Sequence, residues 1–469
     1  MLRVKEKAYL RTSFWKTGLL FLGCWIAMPI LNGKRRYPDY PYLQAVKLEF
    51  SGLSWNDIIR SNSFPMPSLF RLYQEWDLPI CTPTPIPTTA APIQGKLAFI
   101  NIQLEALNRA ATTARFLEQN GAYVMPYFQK LLAESGFESL PYGFHAPGAT
   151  VHAEFAVLCG LEPNRGFDPF AREKQLSTSC LPRLLHQAGM DTWAAHGNYL
   201  SFYNRQAAYP KMGFTSMVSL FDMEKAPLPA QHLGPLDFEA FEFSMDRAME
   251  KGNPFFLHFI TLQSHYPFHT HKGTNFTLNQ ASYPYVTQDA ASLNRWAQTA
   301  RELDEDLEKM FELLKKISQE TGYTFLVSAY GDHPPPVPMD FNTTSRLKKR
   351  TTEEIQLLYE ETPYLAVIFS QGTQQVLPLP HTENLYPYSL SDLPSVLHEQ
   401  LKNFPAWKEL SYVLDDFSFP RKELQKLPFV ARGEQVTKIL QGQMSTIFAR
   451  HPLLEKEKQR MQDAFRCEK

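Results

Sequence analysis

The sequence predicts an α/β fold in which a mostly parallel sheet is covered by helices on both faces. Three observations carry that expectation. Short apolar runs of β type recur along the chain, amphipathic helical stretches separate them, and distinctive polar residues sit where the runs end. Strands that are apolar on both sides belong between two helical layers, because only there does neither face meet water. Such a sheet carries its chemistry on the loops leaving the carboxyl ends of its strands.

The elements follow in order. A basic lead (Arg3, Lys5, Lys7, Arg11, Lys16) precedes "TGLLFLGCWIAMPILNG", uncharged from Thr17 to Gly33, and "KRR" closes it at Lys34 to Arg36. As a helix that run spans about 25 Å, slightly less than a ~30 Å hydrocarbon core; Phe14 and Trp15 extend it while Lys16 snorkels. No small-residue cleavage site follows, which disfavours removal by signal peptidase. "LFLGC" at Cys24 has a lipoprotein-like ring, but Trp25 to Ala27 carry the apolar run past it. More cations before the span than after it place the N-terminus in the cytoplasm. Residues 1–36 are therefore expected to be a single-pass signal anchor in the cytoplasmic (inner) membrane, with the rest of the chain outside the cytoplasm.

Residues 37–95 read as a juxtamembrane segment, with a helix at "SLFRLYQEW" and a Pro/Thr-rich spacer from Cys81 to Gly95. A globular domain is expected over 96–430. It opens with a β run at Leu97 to Ile102. "TARFLEQNGAYVMPYFQKLLAESG" reads as helix–turn–helix, and "TSCLPRLLHQAGMDTWAAHG" as a helix, a glycine stop and a short strand. "NPFFLHFITLQSH", "YTFLVSAYGDH" and "TPYLAVIFS" are buried strands; a long amphipathic helix lies between the first two, within "LNRWAQTARELDEDLEKMFELLKKISQETG". Residues 431–469 read as a helical, charged tail. Neither an internal repeat nor a heptad run is visible. The 47 basic and 48 acidic side chains nearly cancel, so no global field points to a nucleic-acid partner.

Of the cysteines, Cys24 lies in the apolar run, Cys467 in the tail, and Cys81 has no obvious partner. Cys159 and Cys180 have two open readings. They pair in an oxidising compartment, stabilising the fold by roughly 3 kcal/mol, or they remain two buried free thiols.

The strand ends hold the candidate chemistry. "LAFINIQLE" ends in Glu105, "TFLVSAYGDH" in Asp332 and His333, and "FFLHFITLQSH" in His265, while Thr150 opens the helical stretch "TVHAEF". Two carboxylates, an imidazole and a hydroxyl make a shell suited to Mn²⁺, Mg²⁺ or Zn²⁺. Each residue alone has a plainer reading: Glu105 as a solvated loop residue, Asp332-His333 as turn chemistry, and Thr150 as an N-cap partnered by Glu154 one turn on.

The blocks "NIQLEAL", "PGATVHAEFAVLCGL", "HGNYLSFYNR", "TLQSHYPF" and "YGDH" occur in this order. With them the chain resembles the lipoteichoic acid synthase family, phosphoglycerol transferases of the alkaline phosphatase/sulfatase superfamily, over roughly residues 95–400. The resemblance implies an alkaline phosphatase/sulfatase-like fold and one divalent metal, Mn²⁺ first, with Mg²⁺ and Zn²⁺ as alternatives. It implies Glu105, Asp332 and His333 as metal ligands and Thr150 as both ligand and nucleophile. His196, Phe202, Tyr203 and Arg205 match residues lining the substrate pocket, and His265 matches the histidine beside the phosphoryl group. Tyr203 stands where a tryptophan is usual. The resemblance also favours the Cys159–Cys180 bridge.

The expected reaction moves phosphoglycerol from a phospholipid, phosphatidylglycerol, to a cell-surface or periplasmic glycan through a phospho-Thr150 intermediate. A metal held there would acidify the Thr150 hydroxyl, Arg205 would offer its planar fork to phosphate, and His265 would protonate the departing diacylglycerol. Sulfatases of the superfamily use an oxidised cysteine in a Cys-x-Pro-x-Arg setting; Thr150 followed by Val-His-Ala disfavours sulfate-ester hydrolysis. Two alternatives stand beside this reading: a phosphoethanolamine transferase, which also uses threonine, and a vestigial site that binds lipid or glycan without turnover.

Overall fold

The computed structural model describes residues 91–417, except 119, 136–142, 145–148, 161–168, 172–179, 224–233, 272–275, 353–354, 356–358, 379–387 and 391–392. The chain divides into two units, Met1–Leu78 and Pro79–Lys469, and every described residue belongs to the second. The expected anchor, most of the spacer and the charged tail lie outside the described residues. Among the described residues no helix is long and apolar enough to cross a membrane.

The strands are β1 (Leu97–Leu104), β2 (Gly143–Phe144), β3 (Asp191–His196), β4 (Ser216–Val218), β5 (Phe255–Ile260), β6 (Thr324–Gly331), β7 (Tyr364–Ser370), β8 (Thr373–Val376) and β9 (Tyr388–Ser389). Seven of them form one sheet in the order β4-β3-β5-β1-β6-β7-β8. The pairs from β4 through β6 are parallel, and β7 and β8 join antiparallel at one edge. β2 and β9 make a small separate pair. The mostly parallel sheet expected from the apolar runs is therefore present.

The α-helices of seven residues or more are α1 (Pro126–Glu134), α2 (Thr150–Cys159), α3 (Leu181–Gln187), α4 (Arg205–Met212), α5 (Asp237–Met249), α6 (Ala290–Thr321), α7 (Phe341–Lys348), α8 (Leu393–Leu401) and α9 (Lys408–Phe417). Alternation along β1 explains the two layers. Ala98, Ile100, Ile102 and Leu104 enter one apolar cluster with residues of α5 and α6, whereas Phe99 enters another with residues of α2, α3, α4, α8 and α9. Helix α6 is the longest. Its buried stripe (Leu293, Trp296, Ala300, Leu303, Leu307, Met310, Leu314) recurs at helical spacing, Asp289 caps its start by accepting from the Ser292 N–H at 2.9 Å, and left-handed Gly322 ends it.

One local expectation is corrected. The first half of the helix–turn–helix stretch is not helical: Arg115 and Phe116 form isolated bridges to Tyr123 and Leu278, and only α1 is a helix. Burial of Phe116 against the core overrides helix propensity there. Helix α5 and strands β4 and β8, which the apolar runs did not reveal, complete the layers.

Register sets the functional edge. Leu104 on β1 pairs with Gly331 on β6, so Glu105 and Asp332 leave neighbouring parallel strands side by side. On the other flank Gln103 pairs with Ile260, and Ile260 with His196. A Cβ on Gly331 would lie 1.8 Å from the Leu107 carbonyl oxygen. Gly331→Ala is thus expected to push the β1 loop off the strand end, destabilising the protein by about 1–3 kcal/mol or more. A thermal melt with and without metal checks this; wild-type stability would rule out the close approach.

Candidate active site

Glu105 is held at the end of β1 by its own backbone. Its N–H donates to Thr261 Oγ1 (2.9 Å), and its carbonyl accepts from Ser264 Oγ (2.6 Å). The next residue, Ala106, adopts a left-handed φ of 50°, and its carbonyl accepts from the Trp296 indole of α6 at 2.8 Å. Asp332 is fixed as tightly: its Oδ1 accepts from the N–H groups of Ala106 (2.8 Å) and His333 (2.7 Å). His333 donates Nδ1–H to the Pro334 carbonyl at 2.9 Å. That leaves Nε2, which faces the carboxylates, as the ring atom a metal would take once its proton is displaced.

Thr150 arrives from the other layer, as the first residue of α2. Its Oγ1 donates to Glu105 Oε2 at 3.1 Å and lies 3.5 Å from His333 Nε2. His333 Nε2 is 3.3 Å from Glu105 Oε1 and 3.6 Å from Asp332 Oδ2. The structure brings all four predicted ligands together. Glu105, Asp332 and His333 offer ligand atoms within 4.8 Å of one another, and this oxygen-rich set with one nitrogen fits a divalent cation. Two buried carboxylates this close do not both ionise without a compensating cation or proton.

The titration shifts agree with that need. Burial opposes ionisation of Glu105, yet His265 and His333 hold its carboxyl down at about 2. Burial and the charge of Glu105 push Asp332 well above the carboxylate range. His333, although burial disfavours its charge, is raised to about 10 by Asp332 and Glu105. Below pH 10 a metal must displace the His333 proton, so affinity is expected to rise by about tenfold per pH unit between pH 6 and 9, more steeply if Asp332 also gives up a proton. Calorimetry of Mn²⁺ binding in buffers of different ionisation enthalpy checks the proton count.

Thr150 is not the N-cap; that position belongs to Ala149, whose N–H donates to His152 Nδ1 at 3.1 Å. Glu154 does not partner Thr150 either. It points into the helical layer, where its carboxylate takes Arg205 Nε (3.1 Å to each oxygen), Arg205 Nη2 and the Tyr209 hydroxyl (2.6 Å). The free fork expected of Arg205 is corrected accordingly. Arg205 is 1% exposed, and its remaining nitrogen, Nη1, reaches the Phe202 carbonyl at 3.5 Å. Burial opposes its charge, but Glu154 more than offsets it and holds the guanidinium above its ordinary range.

That network sits beneath Phe202 and Tyr203. Tyr203 and Asn204 both have left-handed φ, 54° and 55°, and the Phe202 and Tyr203 rings meet edge-on at 4.6 Å. Burial, then the charge of Glu105, raises the Tyr203 phenol. His196 ends β3 with Nδ1–H directed to the Ile260 carbonyl at 3.3 Å; burial and Arg205 lower its pKa to about 3, so it is neutral. His265 follows β5, half-buried, with Nδ1–H donating to the Tyr266 carbonyl at 2.5 Å.

Gln103 escaped the sequence reading. Its amide donates to the Thr150 carbonyl (3.0 Å) and to Asp332 Oδ2 (3.4 Å), and its Oε1 accepts from Tyr330 OH (2.9 Å). The signal was present: Asn101 and Gln103 are polar at period two in an otherwise apolar strand, on the face that α2 covers. Cys159 and Cys180 are joined by a disulfide, tying the end of α2 to the start of α3.

Two carboxylates and an imidazole at a parallel sheet edge, with a threonine hydroxyl against them, lie inside the span that the family comparison matches. Residues 105–395 match the sulfatase family, more than half of the chain. The chain belongs to the sulfatase family. Within that family it is similar to a lipoteichoic acid synthase of Staphylococcus saprophyticus, 30% identical over 223 residues, covering 46% of this chain and 32% of the relative. Lipoteichoic acid synthase 1 of Bacillus subtilis is 28% identical over 312 residues, covering 64% and 45%. The chain thus spans less than half the length of these curated relatives. Among solved structures, the phosphoglycerol transferase GacH of Streptococcus pyogenes, in complex with sn-glycerol-1-phosphate, overlaps 76% of this chain and 93% of its own at 16% identity and a TM-score of 0.48.

Proposed function

We propose that this sulfatase-family chain is a membrane-anchored, metal-dependent transferase. It moves phosphoglycerol from phosphatidylglycerol to a cell-surface or periplasmic glycan through a phospho-Thr150 intermediate. The observation that carries this reading is the Thr150 hydroxyl, 3.1 Å from Glu105 and 3.5 Å from His333 Nε2. Glu105, Thr150, Asp332 and His333 would hold one divalent ion, Mn²⁺ first. Bound there, it would acidify the hydroxyl and stabilise charge on the phosphoryl oxygens.

Thr150 Oγ1, its proton released to solvent, attacks phosphorus in line, forming the Thr150 O–P bond as the bond to the diacylglycerol oxygen breaks. His265 Nε2, when protonated, gives its proton to that leaving oxygen. In the second step an acceptor hydroxyl attacks phosphorus, its proton passes to His265, and Thr150 leaves with the bonding pair. Gln103 keeps the Thr150 backbone in register with Asp332. Neutral His196 offers Nε2 as an acceptor, and Phe202 and Tyr203 present an apolar wall to the glycerol. Arg205 acts on that wall from below rather than on phosphate. Threonine in place of the sulfatase cysteine argues against sulfate esters.

The test is the intact mass of the full chain in detergent micelles with Mn²⁺ and either phosphatidylglycerol or phosphatidylethanolamine. A glycerophosphoryl adduct on Thr150 supports the proposal. A phosphoethanolamine adduct would keep the mechanism and replace the donor. Neither an adduct nor diacylglycerol from a folded, metal-loaded chain would leave the vestigial reading.

A further inference from the structure

Gln103 and Tyr330 are direct partners in the parallel register of β1 and β6, and each stands two residues before a carboxylate of the site, Glu105 or Asp332. Both are 0% exposed. We propose that they act as a positioning pair. Tyr330 fixes the Gln103 amide, and the amide holds the Thr150 main chain against Asp332, which sets the nucleophilic hydroxyl relative to the metal ligands. The effect on rate rests on the function proposed above; the effect on metal binding does not.

The amide has one workable orientation. Tyr330 OH donates to Oε1 at 2.9 Å, which leaves Nε2 for the Thr150 carbonyl at 3.0 Å and Asp332 Oδ2 at 3.4 Å. Turned over, the amide would set its own oxygen against those two. The Thr150 carbonyl cannot donate, and neither can Asp332 once it ligates a metal. The tyrosine hydroxyl on one side and two acceptors on the other therefore decide which way a nearly symmetric group points.

Apolar packing alone does not fix this position. Val151, Ala153 and Val157 of α2 share a cluster with Phe99 of β1. Such contacts are non-directional, so they hold the helix to the sheet without specifying where its first residue stands along the strand. A hydrogen bond from a strand side chain is directional. Thr150 opens α2, and its hydroxyl already reaches Glu105. The Gln103 amide adds a hold on its backbone, and so links α2, β1 and β6 where they bring Thr150, Glu105 and Asp332 together. A displacement of about 1 Å at a reacting atom costs on the order of 10² in rate. A buried side chain that only sets position thus has a large consequence without touching substrate.

The experiment compares the full chain in detergent micelles with Gln103→Met, Tyr330→Phe and the double variant. It reads Mn²⁺ affinity by calorimetry, kcat and KM for diacylglycerol release from phosphatidylglycerol at saturating Mn²⁺, and the denaturation midpoint in EDTA. Gln103→Met keeps the length of the side chain and removes its polar groups. It is expected to weaken Mn²⁺ binding by about tenfold, and to lower kcat by about 10- to 100-fold with KM unchanged. Tyr330→Phe, which keeps the amide but frees its orientation, should lower kcat by about threefold.

In the double variant neither member of the pair is left as an unpartnered polar group, so the midpoint should return toward that of the unsubstituted chain. Its kcat and Mn²⁺ affinity should stay at the Gln103→Met level, since Tyr330 acts only through the amide. The double variant carries the same test if Gln103→Met does not fold. Recovery of kcat together with stability would reveal a purely structural pair and overturn the proposal. Mn²⁺ affinity unchanged in Gln103→Met and in the double variant overturns it as well. If the unsubstituted chain releases no diacylglycerol, the phosphatidylglycerol reading fails, and Mn²⁺ affinity alone decides the pair.

Discussion

Thr150→Ala is expected to lower phosphoryl transfer by at least about 10³-fold, because removing the nucleophile of a covalent mechanism leaves only binding and electrostatic stabilisation. Folding should be little affected. The lost hydroxyl donates to Glu105 at 3.1 Å and makes a longer 3.5 Å contact with His333 Nε2, and Glu105, Asp332 and His333 still offer ligand atoms within 4.8 Å of one another. Mn²⁺ binding should therefore persist while the covalent adduct disappears. Thr150→Ser, which keeps a hydroxyl, should restore part of the rate. Measuring diacylglycerol release and Mn²⁺ affinity on the same samples separates loss of chemistry from loss of the site. Undiminished turnover in the alanine variant would remove Thr150 from the mechanism.

The largest stability effect belongs to Glu154. Replacing it with alanine strands the Arg205 guanidinium, 1% exposed, and leaves the Tyr209 hydroxyl without its acceptor. Breaking a buried ion pair on one side destabilises by about 3–5 kcal/mol, because the remaining charge stays desolvated. Chemical denaturation of the metal-loaded protein should register that loss. Glu154→Leu combined with Arg205→Met should recover much of it, since removing both charges removes the penalty. Activity should not recover in parallel. Arg205 Nη1 reaches the Phe202 carbonyl, and the Phe202–Asn204 turn contains two left-handed residues that Arg205 helps to hold. Recovery of full activity with stability would show that Arg205 has no positioning role.

Much of the site was legible because its residues mark the ends of apolar runs. Glu105, Asp332 and His333 interrupt strands that are otherwise nearly uninterruptedly hydrophobic, and a parallel sheet gathers such ends at one edge. Thr150 came from the motif resemblance; its local sequence fits a helix start equally well, and both readings describe a residue at the beginning of α2. Arg205 and Glu154 were misread for a common reason. A charged residue in a polar block gives no sign of whether it faces a ligand or another charge, and the two lie 51 positions apart.

By itself, then, the sequence determined the layered α/β class and the polar residues at the strand ends, and through the motif resemblance it nominated Thr150. Those depend on hydrophobic period and on residue type, which are local. Only the tertiary structure decided that Leu104 and Gly331 share a register, which sets two carboxylates side by side. It also decided that Gln103 ties α2 to Asp332, and that Glu154 rather than phosphate occupies the Arg205 fork. Those outcomes depend on which backbones pack together over long separations. The free energy of burying a charge is fixed by the neighbours that folding supplies.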